Sequence, residues 1–94
     1  MTKDRVEEII RDFETHHPSI HIRYRYDKDA DTYTFQMGKP RRHDEPIQYA
    51  ITEYVSNLLL ECGYAYPNNM LYEILTRMYI KFDVYEPIVK AVRL

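Results

Sequence analysis

The sequence predicts a single α+β domain in which a two-stranded antiparallel hairpin packs on helices, in the order α-β-β-α-α. Apolar residues recur at helical spacing over the first 16 residues, alternate with polar residues over 20–37, and return to helical spacing beyond residue 44. The chain of 94 residues is long enough for one hydrophobic core and too short for two, so residues 1–94 are interpreted as one domain.

The first predicted element is a helix over residues 2–16. Thr2 is a suitable N-cap, and the acidic residues of the first turns lie where the helix dipole favours negative charge. Pro18 predicts the end of the helix, because proline disfavours the helical conformation of the residue before it. The apolar stripe that would face the core consists of Val6, Ile9, Ile10 and Phe13.

Two alternating runs then predict a β-hairpin. The apolar positions are Ile20, Ile22, Tyr24 and Tyr26 in the first run, and Tyr33, Phe35 and Met37 in the second. For both sets to share one face, Tyr24 must lie opposite either Tyr33 or Phe35. We expect the first pairing, with Ile22 opposite Phe35 and Ile20 opposite Met37, because it leaves a four-residue loop over 27–30 of a common type.

Aspartates alternate at the tip of this hairpin, as carboxylates do at the start of a calcium-binding loop. Such a loop needs a glycine at its sixth position and a glutamate at its twelfth. Counted from Asp27, those positions hold Thr32 and Gly38. The four histidines match no zinc-binding spacing either. We therefore interpret this stretch as a turn and expect no metal or other cofactor.

A second helix is predicted from Asp44, a suitable N-cap, to about Cys62, with Gly63 as its C-terminal stop. Its apolar stripe would include Tyr54. A stripe this broad should contact both the sheet and another helix.

A third helix would start at Asn68 or Asn69 and continue to Phe82. The stretch from Asp83 to Pro87 predicts either a kink or the start of a short fourth helix at the C-terminal end.

Basic residues are concentrated in the hairpin and the connector that follows it. Residues 20–43 hold six bases and three acids, although the net charge of the chain is −2. We expect the polar strand positions to face away from the core; these are His21, Arg23, Arg25, Thr32, Thr34 and Gln36. Solvent exposure alone would also select such residues. The predicted binding residues are Arg23, Arg25, Lys39, Arg41 and Arg42, joined by Tyr64 and Tyr66 in the loop after the second helix.

No catalytic motif is present. Neither serine lies in a glycine elbow, and the chain has no glycine-rich phosphate loop. Cys62 would lie at the C-terminal end of a helix, where the dipole disfavours a thiolate. The N-terminus lacks the pattern of a signal peptide, and no apolar stretch approaches the roughly 20 residues that span a membrane. We expect a cytoplasmic protein that is not an enzyme.

Tyrosine is unusually abundant, with ten tyrosines and no tryptophan, which indicates a half-buried surface or one that meets a partner. The small size, acidic net charge, tyrosine content and element order resemble those of accessory proteins of phages and mobile elements, including inhibitors of host defence. This resemblance implies a small protein that docks on a macromolecular partner, with another protein as the leading hypothesis.

The alternative is a nucleic acid or nucleotide bound by the same arginines. An isoelectric point near 6.1 and the lack of an outward-facing aromatic pair on the predicted strands argue against it. Wide apolar stripes and two unpaired hairpin edges further predict a homodimer.

Overall fold

The computed structural model describes the backbone of residues 1–39, 44, 46–62 and 67–92, and the side chains of those residues up to 61 and over 70–82. The element order is α1 (Lys3–His16), β1 (His21–Asp27), β2 (Thr32–Lys39), β3 (Gln48–Ser56), α2 (Asn57–Cys62) and α3 (Pro67–Val92). The three strands form an antiparallel sheet in the order β1-β2-β3, so the predicted α+β class is confirmed.

Helix α1 confirms the first predicted element almost to the residue. The Thr2 hydroxyl accepts a hydrogen bond from the Arg5 N–H at 3.3 Å and so caps the first turn. At the other end, the His17 N–H donates to the carbonyls of Phe13 and Glu14. All four residues of the predicted apolar stripe are buried.

The prediction of a two-stranded hairpin followed by a helix over 44–62 is wrong. Residues 48–56 form β3, and the helical part of the predicted segment is limited to the short helix α2. The segment contains Ile51, Thr52 and Val55, whose branched side chains favour strands, and pairing with β2 supplies its backbone hydrogen bonds. Strand β2 therefore lies at the centre of the sheet, and one of the two hairpin edges expected to be unpaired is filled by β3.

The predicted strand parity is correct, but the predicted register is wrong by two residues. Tyr24 lies opposite Phe35, and Ile22 lies opposite Met37. Asp27 remains in β1, and its Oδ1 accepts hydrogen bonds from the N–H groups of the next turn residues at 3.0 and 3.3 Å. Asp31 closes the turn with φ of 51°, a left-handed conformation that aspartate adopts more readily than most residues.

A bulge between β2 and β3 changes the alternation of β3. The register shifts at Met37 and Gly38, so that Met37 lies opposite Ile51 while Gly38 lies opposite Tyr49. A Cβ atom on Gly38 would stand 2.3 Å from the Gln48 carbonyl oxygen, so only glycine allows this approach of the two backbones.

The core lies between one face of the sheet and the helices α1 and α3. Phe35 and Met37 of the central strand are fully buried, as is Leu75 of α3. The sheet and helices together bury Val6, Ile9, Ile10, Phe13, Ile20, Ile22, Tyr33, Phe35, Met37, Val55, Leu60, Leu71, Leu75, Met78 and Phe82. No described polar or charged residue is buried.

Helix α3 continues through Asp83 and Pro87 to Val92, so the prediction of a separate fourth helix is wrong. A proline inside a helix removes only its own N–H hydrogen bond and displaces one turn, which a long helix can tolerate. Within the described residues, no helix combines the length and the apolar character needed to cross a membrane.

Candidate binding site on the open sheet face

The sheet face opposite the core has no described helix packed on it. Because side chains alternate along a strand, the residues between the buried ones point to this side. We call it the open face and define it by seven residues: Arg23, Arg25, Thr34, Gln36, Tyr49, Thr52 and Tyr54. Two of the seven are cationic and none is acidic, so the face carries a local positive charge although the whole chain is acidic.

The side chains of the open face form two rows across the three strands. In the first row, the Arg23 Nε donates to the Gln36 Oε1 at 2.6 Å, and the Gln36 Nε2 donates to the Thr52 Oγ1 at 3.3 Å. The second row places Arg25 opposite Thr34, and Thr34 opposite Tyr54.

Two contacts orient the guanidinium group of Arg23. Its Cζ atom lies 3.8 Å from the centre of the Tyr49 ring, a cation–π contact, while its Nε is bonded to Gln36. Tyr49 can reach it because Gly38, its partner in the register, has no side chain between them. The β-bulge at Gly38 therefore helps to place Tyr49 against Arg23.

A shallow depression of about 400 Å³ opens on this face. Its lining comprises Arg23, Tyr24, Arg25, Thr34, Gln36 and Tyr54. Tyr54 is 71% exposed and presents a flat ring beside the two arginines. The depression therefore combines cations, hydrogen-bonding groups and an aromatic surface.

The structure brings together only part of the predicted binding set. Arg23 and Arg25 lie two residues apart on the open face. Lys39 lies on the core side of the sheet, with its Nζ 5.6 Å from the centre of the Phe82 ring. The remaining predicted residues, Arg41, Arg42, Tyr64 and Tyr66, lie outside the described part of the chain.

Two tyrosines of the site were missed by the sequence prediction. Tyr54 was assigned to a buried helix stripe and Tyr49 to no site, since both lie in the segment predicted to be helical. As a consequence, the expectation that no aromatic pair faces outward is wrong. The signal that identifies them is the concentration of branched and aromatic residues over 48–56, which is typical of a strand.

Two other tyrosines act as hydrogen-bond donors, Tyr24 half-buried and Tyr26 exposed. The Tyr24 hydroxyl donates to the Glu7 Oε1 at 3.0 Å, and burial together with this bond raises its pKa to about 12. The Tyr26 hydroxyl donates a hydrogen bond to Asp31. That bond, and to a smaller extent desolvation, raises the pKa of Tyr26 to about 12. Both hydroxyls are therefore protonated at neutral pH and do not serve as general bases.

The described residues include no group of three or more histidine, cysteine, aspartate or glutamate side chains placed to hold a metal ion. Two of the three aspartates of the hairpin tip are used otherwise, since Asp27 caps the turn and Asp31 accepts a hydrogen bond from Tyr26.

No protein-family model matches this chain, and no curated protein or solved structure is significantly similar to it. What the open face can bind therefore follows from its own chemistry.

Proposed function

We propose that this chain is a small, non-enzymatic binding protein that docks on a macromolecular partner through the open face. The observation that carries this proposal is the oriented guanidinium of Arg23, stacked on Tyr49 and hydrogen-bonded to Gln36. An arginine that is already ordered loses less conformational freedom on binding, and its planar fork suits carboxylate and phosphate groups.

The composition of the face supports docking more than catalysis. Arginine and tyrosine are among the residues that contribute most at interfaces, and the face presents both types in an exposed position. The seven residues that define it supply guanidinium groups, hydroxyls and an amide, which suit binding, and His21 on the polar side of β1 has its Nδ1 3.9 Å from a Glu14 carboxylate oxygen.

The proposal is tested by reversing the charge of the site. The Arg23→Glu/Arg25→Glu variant should lose a partner that the wild-type protein retains in a quantitative pull-down from a lysate of its source. The matched control is Lys3→Glu/Lys28→Glu, which changes the net charge equally at exposed positions away from the open face. Partner retention by the arginine variant would contradict the proposal, as would equal loss from both variants.

A second candidate, nucleic-acid or nucleotide binding, is favoured by the outward position of Tyr54 and Tyr49. An exposed aromatic ring beside arginines on an open sheet is the arrangement on which unpaired bases stack. Another protein with an acidic surface is the alternative partner for the same two cations.

The broader predictions from the sequence remain proposals. The chain is proposed to be a cytoplasmic accessory protein of a phage or mobile element, such as an inhibitor of host defence.

The expected homodimer is supported by the exposed side chains of Leu58 and Leu59 on α2. Antiparallel pairing of two β1 edges in the register centred on Tyr24 is disfavoured, because it sets Arg23 against Arg25 of the second copy. Sedimentation velocity over a range of concentrations tests the dimer.

A further inference from the structure

We propose that the partner of the open face is single-stranded RNA, with a base stacked on Tyr54 and backbone phosphates bound by Arg23 and Arg25. This inference rests on the proposed docking function and names the class of partner for the same surface. The ring, the cations and the hydroxyls of the face each match a different part of a ribonucleotide.

Tyr54 provides the stacking surface. Its side chain is 71% exposed at the end of the row that includes Thr34 and Arg25, so one ring face is accessible to a flat ligand. Every base has a π face, and stacking on such a ring does not depend on base identity. The guanidinium of Arg23 adds a second flat surface, since Tyr49 covers one of its sides and the Arg23 side chain is exposed.

The arginines provide the phosphate contacts. The Nε of Arg23 is bonded to Gln36, and among the described residues its two Nη groups have no hydrogen-bond partner, so both can donate to one phosphate. Arg25 lies two residues further along β1, which is a spacing of about 7 Å along the strand. Consecutive phosphates of an extended single strand are separated by a similar distance, so each arginine can bind one phosphate.

Thr34 favours RNA over DNA. It lies between Arg25 and Tyr54 in the second row, and its hydroxyl has no hydrogen-bond partner among the described residues. A ribose 2′-hydroxyl both donates and accepts hydrogen bonds, which is how proteins distinguish RNA from DNA. A sugar placed between a base on Tyr54 and a phosphate on Arg25 would bring that group close to Thr34.

A protein partner fits the face less well. The residues that dominate protein interfaces, arginine and tyrosine among them, act in well-packed pockets from which water is excluded. The depression of about 400 Å³ is instead open to solvent, and Tyr54 in its lining is 71% exposed. A double helix is also a poor fit, since the described helices pack against the opposite face and none projects from this surface toward a groove.

The test is fluorescence anisotropy with a labelled single-stranded oligouridylate and with the deoxyuridine oligomer of equal length. The wild-type protein should bind the RNA several-fold more tightly than the DNA. Tyr54→Leu should weaken RNA binding by roughly 5- to 150-fold, the range expected for one stacked base. Tyr54→Phe retains the ring and should bind as the wild type does. Thr34→Val keeps the shape of the side chain but removes its hydroxyl, so the affinity for RNA should fall to the affinity for DNA.

Salt dependence tests the phosphate contacts separately. Two neutralised phosphates predict a slope of about −1.4 for log K against log salt. In Arg23→Gln/Arg25→Gln this slope should fall to near zero, whereas Lys3→Gln/Lys28→Gln should preserve it. Circular dichroism of each variant shows whether a loss of affinity reflects unfolding.

The outcomes separate this inference from the docking function. Absence of RNA binding by the wild-type protein, equal affinity for RNA and DNA, or full affinity in Tyr54→Leu would each overturn the RNA assignment. If RNA fails but a lysate protein is still lost from Arg23→Glu/Arg25→Glu, the open face docks on a protein. If neither RNA nor any lysate partner depends on the arginines, the docking function itself is wrong.

Discussion

Replacement of Gly38 by alanine tests the bulge that joins β2 to β3 and positions Tyr49. The added Cβ would lie 2.3 Å from the Gln48 carbonyl oxygen and 2.8 Å from the Tyr49 Cα. Ordinary van der Waals contact begins near 3.4 Å, so the two backbones must separate by about 1 Å. Neither obstacle is a flexible side chain, so the strain cannot be relieved by a change of rotamer.

The expected cost is about 3 kcal/mol of unfolding free energy. Overpacking typically costs about 1–3 kcal/mol, and backbone obstacles place this site at the upper end. Separation of the strands also weakens ladder hydrogen bonds, each of which contributes about 1 kcal/mol. Since a domain of this size has a total stability of about 5–10 kcal/mol, the variant should still fold.

Thermal unfolding followed by circular dichroism measures the effect. For a domain of 60–100 residues, about 3 kcal/mol corresponds to a fall in Tm of about 12–24 °C. Thr34→Ala on the same strand is the control, and it should cost less than about 1 kcal/mol because its side chain lies on the open face. A Gly38→Ala variant within about 0.5 kcal/mol of the wild type would refute the close pairing of β2 with β3.

Three further changes test the core, the hairpin turn and an ionisable group. Phe35→Ala in the central strand should lower the unfolding free energy in urea by about 3–5 kcal/mol, because Phe35 is fully buried; a loss under 1 kcal/mol would contradict that burial. Asp27→Ala removes the acceptor for the Asp29 and Ala30 N–H groups and should cost about 1 kcal/mol, whereas Lys28→Ala should be neutral.

The remaining prediction concerns pH. The raised pKa of Tyr24, about 12 in the folded protein against 10 when unfolded, contributes stability that is present below pH 10 and lost as pH rises through 12. Tyr24→Phe should therefore show a shallower alkaline decline in stability, and an unchanged decline would argue against the partial burial of this hydroxyl and its bond to Glu7.

Local patterns were enough to predict α1 and the alternation of the hairpin. The cap at Thr2, the stripe ending at Phe13 and the break at Pro18 are all encoded within a few residues of each other. The side of the hairpin that carries Arg23 and Arg25 also follows from parity alone, since a side-chain period of two leaves only two choices of face.

Strand β3 could not be identified in the same way. Asp44, Glu45 and Pro46 form a helix-start signal, and Ile47, Ile51 and Val55 recur at a spacing that also suits a helix. Which conformation prevails depends on hydrogen bonds from β2, whose paired residues lie nine or more positions away along the chain. The two tyrosines of the open face were missed for this reason.

The sequence by itself determined the α+β class, the first helix and the polar side of the hairpin, because each depends on contacts between near neighbours. Only the tertiary structure decided the three-stranded sheet, the register of Tyr24 and the stacking of Arg23 on Tyr49. Two registers satisfy the same alternation, and in the folded sheet Tyr24 pairs with Phe35 while the central strand also pairs Met37 with Ile51 of β3. The site on the open face therefore depends on a strand pairing that arises only when distant segments of the chain meet.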